Sequence, residues 1–308
     1  MRYVQAGAAL PISRISFGCW ELGGGQWEKE SDEVNLKVLE EALNLGINSF
    51  DTAEGYGNGH SEEILGQALS SVPRDQCFIA TKVAPNHLAA DDLERSLEKS
   101  LRRLRTDYVD LYYVHWPNPE IPLAETMRAL SRLKEQGLIR SIGVSNFSLD
   151  QLQQALEVAR IDAIQPEYSL LCRSIEGDMV PFCIEHDISI FSYSSIAKGI
   201  LTGLYHQDPS PLKSSDFRAQ RRLFLPEHLA LETPLVEAVR TIAQRREVSM
   251  AQVAINWLLL QPKMTSAIVG TQSLTHLRDN VKAVDWELSV AEVQHLDAIS
   301  RSVLAAID

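Results

Sequence analysis

The sequence predicts an α/β fold in which parallel strands and helices alternate and close into a (β/α)8 barrel. Three observations predict it: eight strand-like runs, amphipathic stretches between them, and polar residues at the ends of most strands. Strands are predicted at Ile12–Gly18, Asn48–Ala53, Cys77–Val83, Tyr108–Trp116, Ile139–Ser145, Ala163–Glu167, Ser189–Ser194 and Thr265–Gly270. Because barrels of this kind commonly reach this size as one unit, we expect a single domain, residues 1–308.

The segments between the strands have helical periodicity. In Asp91–Leu104, for example, leucines recur at intervals of three or four residues with charged residues between them, which is typical of a helix that packs on a sheet. Further helices are expected at Pro122–Leu138, Leu149–Arg160, Pro234–Arg246, Met250–Leu260 and Val290–Ser300. Two of these are extra to the barrel pattern: one of the two helices that precede the last strand, and the final helix, which should pack outside the barrel. Gly46 and Gly137 stand where two helices should end. The segment from Lys198 to Leu231 has weak periodicity and is longer than a connection requires, so we interpret it as a functional lid after the seventh strand.

Polar residues at the strand ends distinguish a closed barrel from an open, doubly wound sheet, the alternative architecture. The strand ends carry Asp51, Lys82, His115, Ser145 with Asn146, Gln165 and Tyr193. These side chains converge only if the strands form a ring, as in the TIM-barrel architecture. The sequence Gly23–Gly24–Gly25 does not match the G-x-G-x-x-G spacing of an open dinucleotide-binding sheet.

Composition and charge exclude several classes of protein. The chain is 45% hydrophobic and 23% charged, as in ordinary globular proteins, and its formal net charge of −12 opposes binding to nucleic acid or to anionic membranes. No apolar run approaches the roughly 18 residues of a membrane span, and Pro11 interrupts the short apolar stretch at the start, so a cytoplasmic protein is expected. The histidines show no H-x-H or H-E-x-x-H spacing, so no metal is expected.

Several motifs in order resemble the aldo-keto reductase family over nearly the whole chain. They are Phe50-Asp-Thr-Ala, Tyr56-Gly-x-x-x-Ser61-Glu62, Ile142-Gly-Val-Ser-Asn-Phe147, Gln165-Pro-Glu-Tyr and Tyr193-Ser followed by Gly199-Ile-Leu-Thr-Gly203. The pattern is closest to bacterial members with a short carboxyl terminus. The resemblance implies reduction of aldehydes or ketones by hydride transfer from a nicotinamide dinucleotide, with Tyr56 as the proton donor.

Four residue types together suit this chemistry. A tyrosine with a pKa near ~10 is a weak acid at neutral pH, and a nearby ammonium such as Lys82 lowers that pKa. Asp51 would hold Lys82 by an ion pair, and His115 would orient the carbonyl oxygen or assist proton transfer. Each residue alone also has an ordinary structural interpretation, such as a helix cap for Asp51 or a semi-buried histidine for His115. The inference depends on all four occurring together.

The resemblance also assigns cofactor contacts. Ser145, Asn146 and Gln165 match positions that bind the nicotinamide carboxamide, and Tyr193 matches the aromatic residue on which the ring stacks. The last strand leads through Gly270, Thr271 and Gln272 into a helix, a place where barrels often bind phosphate.

The stretch that follows departs from the family, because NADPH-preferring members usually have Lys or Arg there. Ser273, His276 and Asn280 share one helical face, while Arg278 points elsewhere. We predict NADPH as the cofactor, with NADH possible, and expect His276 and Arg218 from the lid to bind its extra phosphate in place of the usual Lys or Arg. A histidine is charged only part of the time near neutral pH.

The predicted substrate pocket is apolar and aromatic. Trp20 and Trp116 are the preferred wall residues, whereas the role of Trp27 is left open. Two other functions remain as alternatives: a Schiff-base aldolase that uses Lys82, and a non-catalytic nucleotide-sensing barrel bound to a partner protein. The physiological carbonyl compound, the reaction direction and the oligomeric state do not follow from the sequence.

Overall fold

The computed structural model describes residues 1–5, 10–25, 30–207, 212 and 216–307. Its strands are β1 (Tyr3–Val4), β2 (Ile12–Ser13), β3 (Ile15–Gly18), β4 (Ser49–Asp51), β5 (Phe78–Val83), β6 (Val109–Val114), β7 (Ile139–Ser145), β8 (Ala163–Gln165), β9 (Ser189–Ser192) and β10 (Met264–Val269). Strands β3 to β10 are parallel and form a closed barrel, in which β10 pairs with β3 so that Ala267 lies opposite Ile15. The predicted barrel is confirmed, and the open sheet is excluded.

The first predicted strand, Ile12–Gly18, is wrong as a single element. It divides at Arg14: β2 pairs antiparallel with β1, and only β3 belongs to the barrel. The side chain of Ile12 is fully buried in the apolar cluster that fills the barrel interior. The β1–β2 hairpin therefore closes the amino-terminal end of the barrel. The other predicted strands are confirmed to within a few residues at each end.

The helices surround the barrel. They are α1 (Asp32–Asn44), α2 (His60–Ala68), α3 (Ala90–Leu104), α4 (Leu123–Glu135), α5 (Leu149–Leu156), α6 (Met179–Glu185), α7 (Leu204–Gln207), α8 (Pro226–Arg246), α9 (Met250–Leu259), α10 (Leu274–Asn280) and α11 (Val290–Ile307). Gly46 and Gly137 follow α1 and α4 with φ angles of +84° and +77°, as expected of glycines that end helices. Among the described helices, none combines the length and hydrophobicity needed to cross a lipid bilayer.

Helices α8 and α11 extend further than predicted, and others, such as α5, are shorter. Helix α8 begins at Pro226 and continues through Pro234, where a start was expected, because Pro234 lies on the exposed side and the buried face of the helix continues on both sides of it. Helix α11 continues beyond Ser300 to Ile307, since its last turns also bury apolar residues and it packs along α8. Helix α5 ends at Leu156 rather than at Arg160.

Alternation along the strands sets the position of the site. On β5, Phe78 and Ala80 point into the apolar interior, and Lys82 is the next residue of the same parity. On β6, Leu111 and Tyr113 do the same, and His115 follows. A layer of polar side chains therefore lies at the carboxyl ends of the strands, directly above the apolar side chains that fill the barrel interior.

Candidate active site

A large groove crosses the carboxyl ends of the strands, with a cavity volume of about 1510 Å³. Every predicted site residue except Lys82 lines it: Trp20, Asp51, Tyr56, His115, Trp116, Ser145, Asn146, Gln165, Tyr193, Arg218, Gly270, Thr271, Gln272, His276 and Asn280. Lys82 is fully buried behind Asp51 and Tyr56. The volume of the groove exceeds the roughly 300–1,000 Å³ typical of a site for one small molecule, so the groove has room for two ligands side by side.

Lys82 connects the centre of the site. Its Nζ donates to Asp51 Oδ1 at 2.6 Å, to the Thr52 carbonyl oxygen at 2.8 Å and to the Tyr56 hydroxyl at 3.2 Å. The second carboxylate oxygen of Asp51 accepts a hydrogen bond from Gln165 Nε2 at 2.7 Å. The ammonium is thus held in one position by an ion pair that is itself braced from a different strand.

The backbone fixes the position of Tyr56. Gly57, which follows it, has a φ angle of +60°, and a Cβ built there would lie 2.1 Å from the carbonyl oxygen of Gly23. A Cβ on Gly23 would in turn lie 2.6 Å from the carbonyl carbon of Tyr56. Only glycines allow the loop after β3 and the loop after β4 to approach this closely, so these two residues place the phenol over Lys82.

Burial and charge act in opposite directions on the Tyr56 and Lys82 pair. Burial raises the pKa of Tyr56, and the Lys82 ammonium only partly offsets this rise. Lys82 therefore acts on the Tyr56 pKa in the predicted direction, while burial opposes it and leaves that pKa raised. Burial acts to lower the pKa of Lys82, but Asp51 and then Tyr56 outweigh it, so that the Lys82 pKa is raised. The phenol keeps its proton and the amine keeps its charge.

His115 lies beside Tyr56 as a neutral imidazole. The two ring centroids are 5.6 Å apart in an edge-to-face arrangement. Burial, with the charge of Lys82 as a second cause, lowers the pKa of His115 to about 3. At neutral pH one ring nitrogen therefore carries a hydrogen and can donate it to an oxygen atom in the groove.

Amide and hydroxyl groups form a connected network at the ends of β7, β8 and β9. Asn146 has a φ angle of +62°, and its Nδ2 donates to the His115 carbonyl oxygen at 2.9 Å. Its Oδ1 accepts a hydrogen bond from the Tyr193 hydroxyl at 2.8 Å. Ser145 donates to the Gln165 carbonyl oxygen at 2.8 Å. The network fixes the predicted carboxamide-binding residues and the aromatic Tyr193 relative to one another.

The end of the groove away from Tyr193 lies along β10 and α10. Gly270 follows β10 and approaches the neighbouring strand β3 so closely that a Cβ on Gly270 would lie 2.8 Å from the carbonyl oxygen of Gly18. Ser273 caps α10 by accepting from the His276 amide at 3.3 Å, and His276 is exposed. Arg278 points away from the groove, as predicted, and pairs with Glu41 at 2.7 Å.

The described part of the predicted lid is more ordered than its sequence indicates. It contains α7, short turns from Phe217 to Phe224, and the first turns of α8. Phe217 packs on Trp20 with ring centroids 5.2 Å apart, and Trp20 lies 6.2 Å from the Tyr56 ring. Arg218 lines the groove and forms a two-point ion pair with Asp216. Trp116 is 49% exposed at the groove, and Trp27 lies outside the described residues.

Sequence reasoning missed several charged residues that line the groove, among them Glu21, Glu167, Lys198 and Arg221. Glu21 lies at the Gly270 end, where burial raises its pKa to about 7 and Arg218 only partly opposes this. Glu167 and Lys198 form an ion pair, and Arg221 extends from the lid. A signal was present for Glu167 alone, because it follows Gln165 by two residues and so points the same way; the other three depend on loop conformation.

Comparison with known proteins agrees with this geometry. The model of the Aldo/keto reductase family matches residues 14–301. The chain is 33% identical to aldo-keto reductase YhdN of Bacillus subtilis, over 99% of this chain and 95% of that protein. It is 32% identical to the NADH-specific methylglyoxal reductase of Escherichia coli, over 92% of this chain and 93% of that protein.

A solved structure is similar in fold and in sequence. It is an aldo/keto reductase from Klebsiella pneumoniae in complex with NADP and acetate, with a TM-score of 0.77 and 30% identity, covering 97% of this chain and 95% of that one. A family match over nearly the whole chain and relatives above 30% identity at nearly full coverage leave one conclusion. The chain belongs to the aldo-keto reductase family of oxidoreductases.

Proposed function

We propose that the protein reduces aldehydes or ketones to alcohols with a reduced nicotinamide dinucleotide, and that Tyr56 donates the proton. The observation that carries the proposal is the Tyr56 hydroxyl, 3.2 Å from a buried, ion-paired lysine on the floor of an aromatic-walled groove. A protonated phenol next to a fixed ammonium is a proton donor whose conjugate base is stabilised in place.

Each residue around Lys82 has a separate role in the proposed reaction. Tyr56 holds a proton that it releases to a carbonyl oxygen, and Lys82 stabilises the phenolate that remains. Asp51 and Gln165 keep Lys82 in position. The neutral His115 donates a second hydrogen bond to the substrate oxygen and so orients the carbonyl. A bound reduced nicotinamide supplies the hydride to the carbonyl carbon.

The residues of the groove fit a dinucleotide. Ser145, Asn146 and Gln165 offer donors and acceptors to a carboxamide, and Tyr193 offers a ring face next to them. Gly18 and Gly270 both line the groove, and because neither has a side chain the cofactor would meet bare backbone there. The groove is lined by Tyr193 as well as by residues of α10, so both halves of the cofactor would lie along it.

We further propose NADPH as the preferred cofactor. This proposal is based on Ser273, His276 and Asn280, which line the groove together. It is also based on Arg218, which would exchange part of its contact with Asp216 for a contact with a phosphate. One relative binds NADP and another is NADH-specific, so the choice within the family varies.

Dissociation constants of both dinucleotides, measured by quenching of protein fluorescence, test the cofactor proposal. We expect His276→Gln to weaken NADPH binding and to change NADH binding little. An NADPH preference of the same size in both proteins would eliminate His276 as the residue that recognises NADPH. Equal affinity of the parent for both cofactors would contradict the choice of NADPH.

The central test is the oxidation of NADPH by a panel of aldehydes, followed by absorbance, with the parent and with Tyr56→Phe. The variant should retain cofactor affinity and fold but lose about 10²–10⁴-fold in turnover, since only the transferable proton is removed. Activity within a few-fold of the parent would contradict the role of Tyr56. Cofactor binding without turnover of any carbonyl compound would favour the nucleotide-sensing alternative.

A further inference from the structure

Some of the cationic side chains that line the groove are ion-paired with a carboxylate, and one is not. Lys198 is paired with Glu167, and Arg218 is paired with Asp216. Arg221 also lines the groove, but within the described residues it forms no ion pair. Its guanidinium lies over the ring of Phe217, 5.9 Å from the centroid. A cation without a counter-ion in a protein of net charge −12 is available to an anionic ligand.

The backbone of Arg221 is fixed although its side chain is exposed. Its amide donates to the Arg218 carbonyl oxygen at 2.9 Å, and its own carbonyl oxygen accepts from the Phe224 amide at 2.8 Å. Phe224 is buried and packs edge-to-face on Tyr205 with centroids 5.1 Å apart. Arg221 therefore stands between two short turns, the second of which is anchored by the buried Phe224, so the backbone at Arg221 holds one position beside the groove.

That position is at the substrate end of the groove. A row of contacting rings leads from the reaction centre to the guanidinium: Tyr56 to Trp20 at 6.2 Å, Trp20 to Phe217 at 5.2 Å, and Phe217 to Arg221 at 5.9 Å. Arg218, by contrast, acts on Glu21 at the Gly270 end. The two lid arginines that line the groove therefore serve different parts of it.

We propose that Arg221 binds a carboxylate on the substrate, so that the enzyme prefers carbonyl compounds bearing a remote carboxylate, that is, aromatic or aliphatic oxo acids. The inference rests on the proposed reductase function, because it assumes that the reacting carbonyl lies at Tyr56. The rings of Trp20 and Phe217 contact the body of the substrate, and the guanidinium receives its anionic end by charge-assisted hydrogen bonds.

The test compares matched substrates that differ only in charge. Ortho, meta and para carboxybenzaldehyde are each compared with the corresponding methyl ester, using the parent, Arg221→Gln and Arg221→Lys. We expect Arg221→Gln to lower kcat/KM for at least one acid by about 10-fold to 100-fold, mainly through KM, and to lower it much less for the ester. Arg221→Lys should restore part of the preference for the acid. Arg245→Gln removes an exposed positive charge on the outer side of α8 and should leave both values unchanged.

The outcomes separate this inference from the reductase function. Equal losses for acid and ester in Arg221→Gln, or a loss of NADPH affinity with an unchanged acid-to-ester ratio, would overturn it and would assign Arg221 to general structure or to the cofactor. If the parent reduces none of the aldehydes, the reductase proposal fails. Arg221 is then judged by the affinity of benzoate for the NADP⁺-loaded protein: weaker binding to Arg221→Gln than to the parent supports the anion site, and equal binding contradicts it.

Discussion

Two buried carboxyl groups, Asp51 at the barrel mouth and Glu232 on helix α8, have opposite surroundings. Asp51 is 5% exposed and accepts hydrogen bonds from Lys82 and Gln165 at 2.6 and 2.7 Å. Glu232 is 0% exposed, and neither of its carboxyl oxygens has a hydrogen-bond partner among the described residues. Burial alone raises the pKa of Glu232 to about 8. Burial of a carboxyl group therefore does not by itself identify a functional site. The functional site is identified by the hydrogen-bond partners of Asp51 and by the open groove beside it.

The largest expected effect comes from making the surroundings of Asp51 resemble those of Glu232. Lys82→Met leaves a buried carboxylate without its cation, so we expect the free energy of unfolding to fall by about 3–5 kcal/mol at neutral pH. Turnover should fall at least about 10²-fold, because the phenolate of Tyr56 loses its stabilising charge. Urea denaturation and NADPH oxidation measure the two effects separately.

A double variant separates the two causes. Combining Lys82→Met with Asp51→Asn removes both charges, so most of the lost stability should return while activity stays low. A double variant as unstable as Lys82→Met alone would show that the charge left on Asp51 is not the reason for the instability.

A smaller effect is expected when only the anion is removed. In Asp51→Asn, burial acts on Lys82 without its main opposing charge, so the Lys82 pKa should fall and the amine should become a nucleophile. We expect roughly tenfold lower reductase activity, and an aldehyde adduct on Lys82 that borohydride traps in the variant but not in the parent. Mass spectrometry detects the adduct. An adduct of equal yield in the parent would revive the aldolase interpretation.

The sequence predicts the barrel and the residues around Tyr56 because both depend on strand periodicity. Lys82 and His115 occur at strand ends with the same inward parity as the apolar residues before them, so their convergence follows once the sheet closes. The raised Tyr56 pKa could not be predicted, because it depends on the balance between burial and a charge at a distance that only the fold defines.

Features built on loops or on long-range packing were also hidden. The placement of Arg221 depends on two turns and on the anchoring of Phe224. The burial of Glu232 was hidden because Pro234 predicts a helix start, whereas α8 begins at Pro226 and carries Glu232 into the interior. The division at Arg14 depends on β1, whose two residues are too short for a periodicity signal.

The remaining effect concerns stability alone and uses Glu232. Its pKa rises from 4.5 to about 8 in the folded protein because burial penalises the charged form. Between these two pH values the folded state binds more protons than the unfolded state, so stability falls as pH rises, by up to about 1.4 kcal/mol per pH unit for this group. Glu232→Gln removes that slope: the variant should match the parent near the acid limit and exceed it increasingly towards pH 8. Urea denaturation across this range measures the difference, with Glu237→Gln, an exposed residue of the same helix, as the control that should keep the parent's slope. Because Glu232 does not line the groove, kcat/KM should not change. A variant whose stability runs parallel to that of the parent over the whole range would mean that Glu232 is charged and solvated in the folded protein, and the contrast with Asp51 would then disappear.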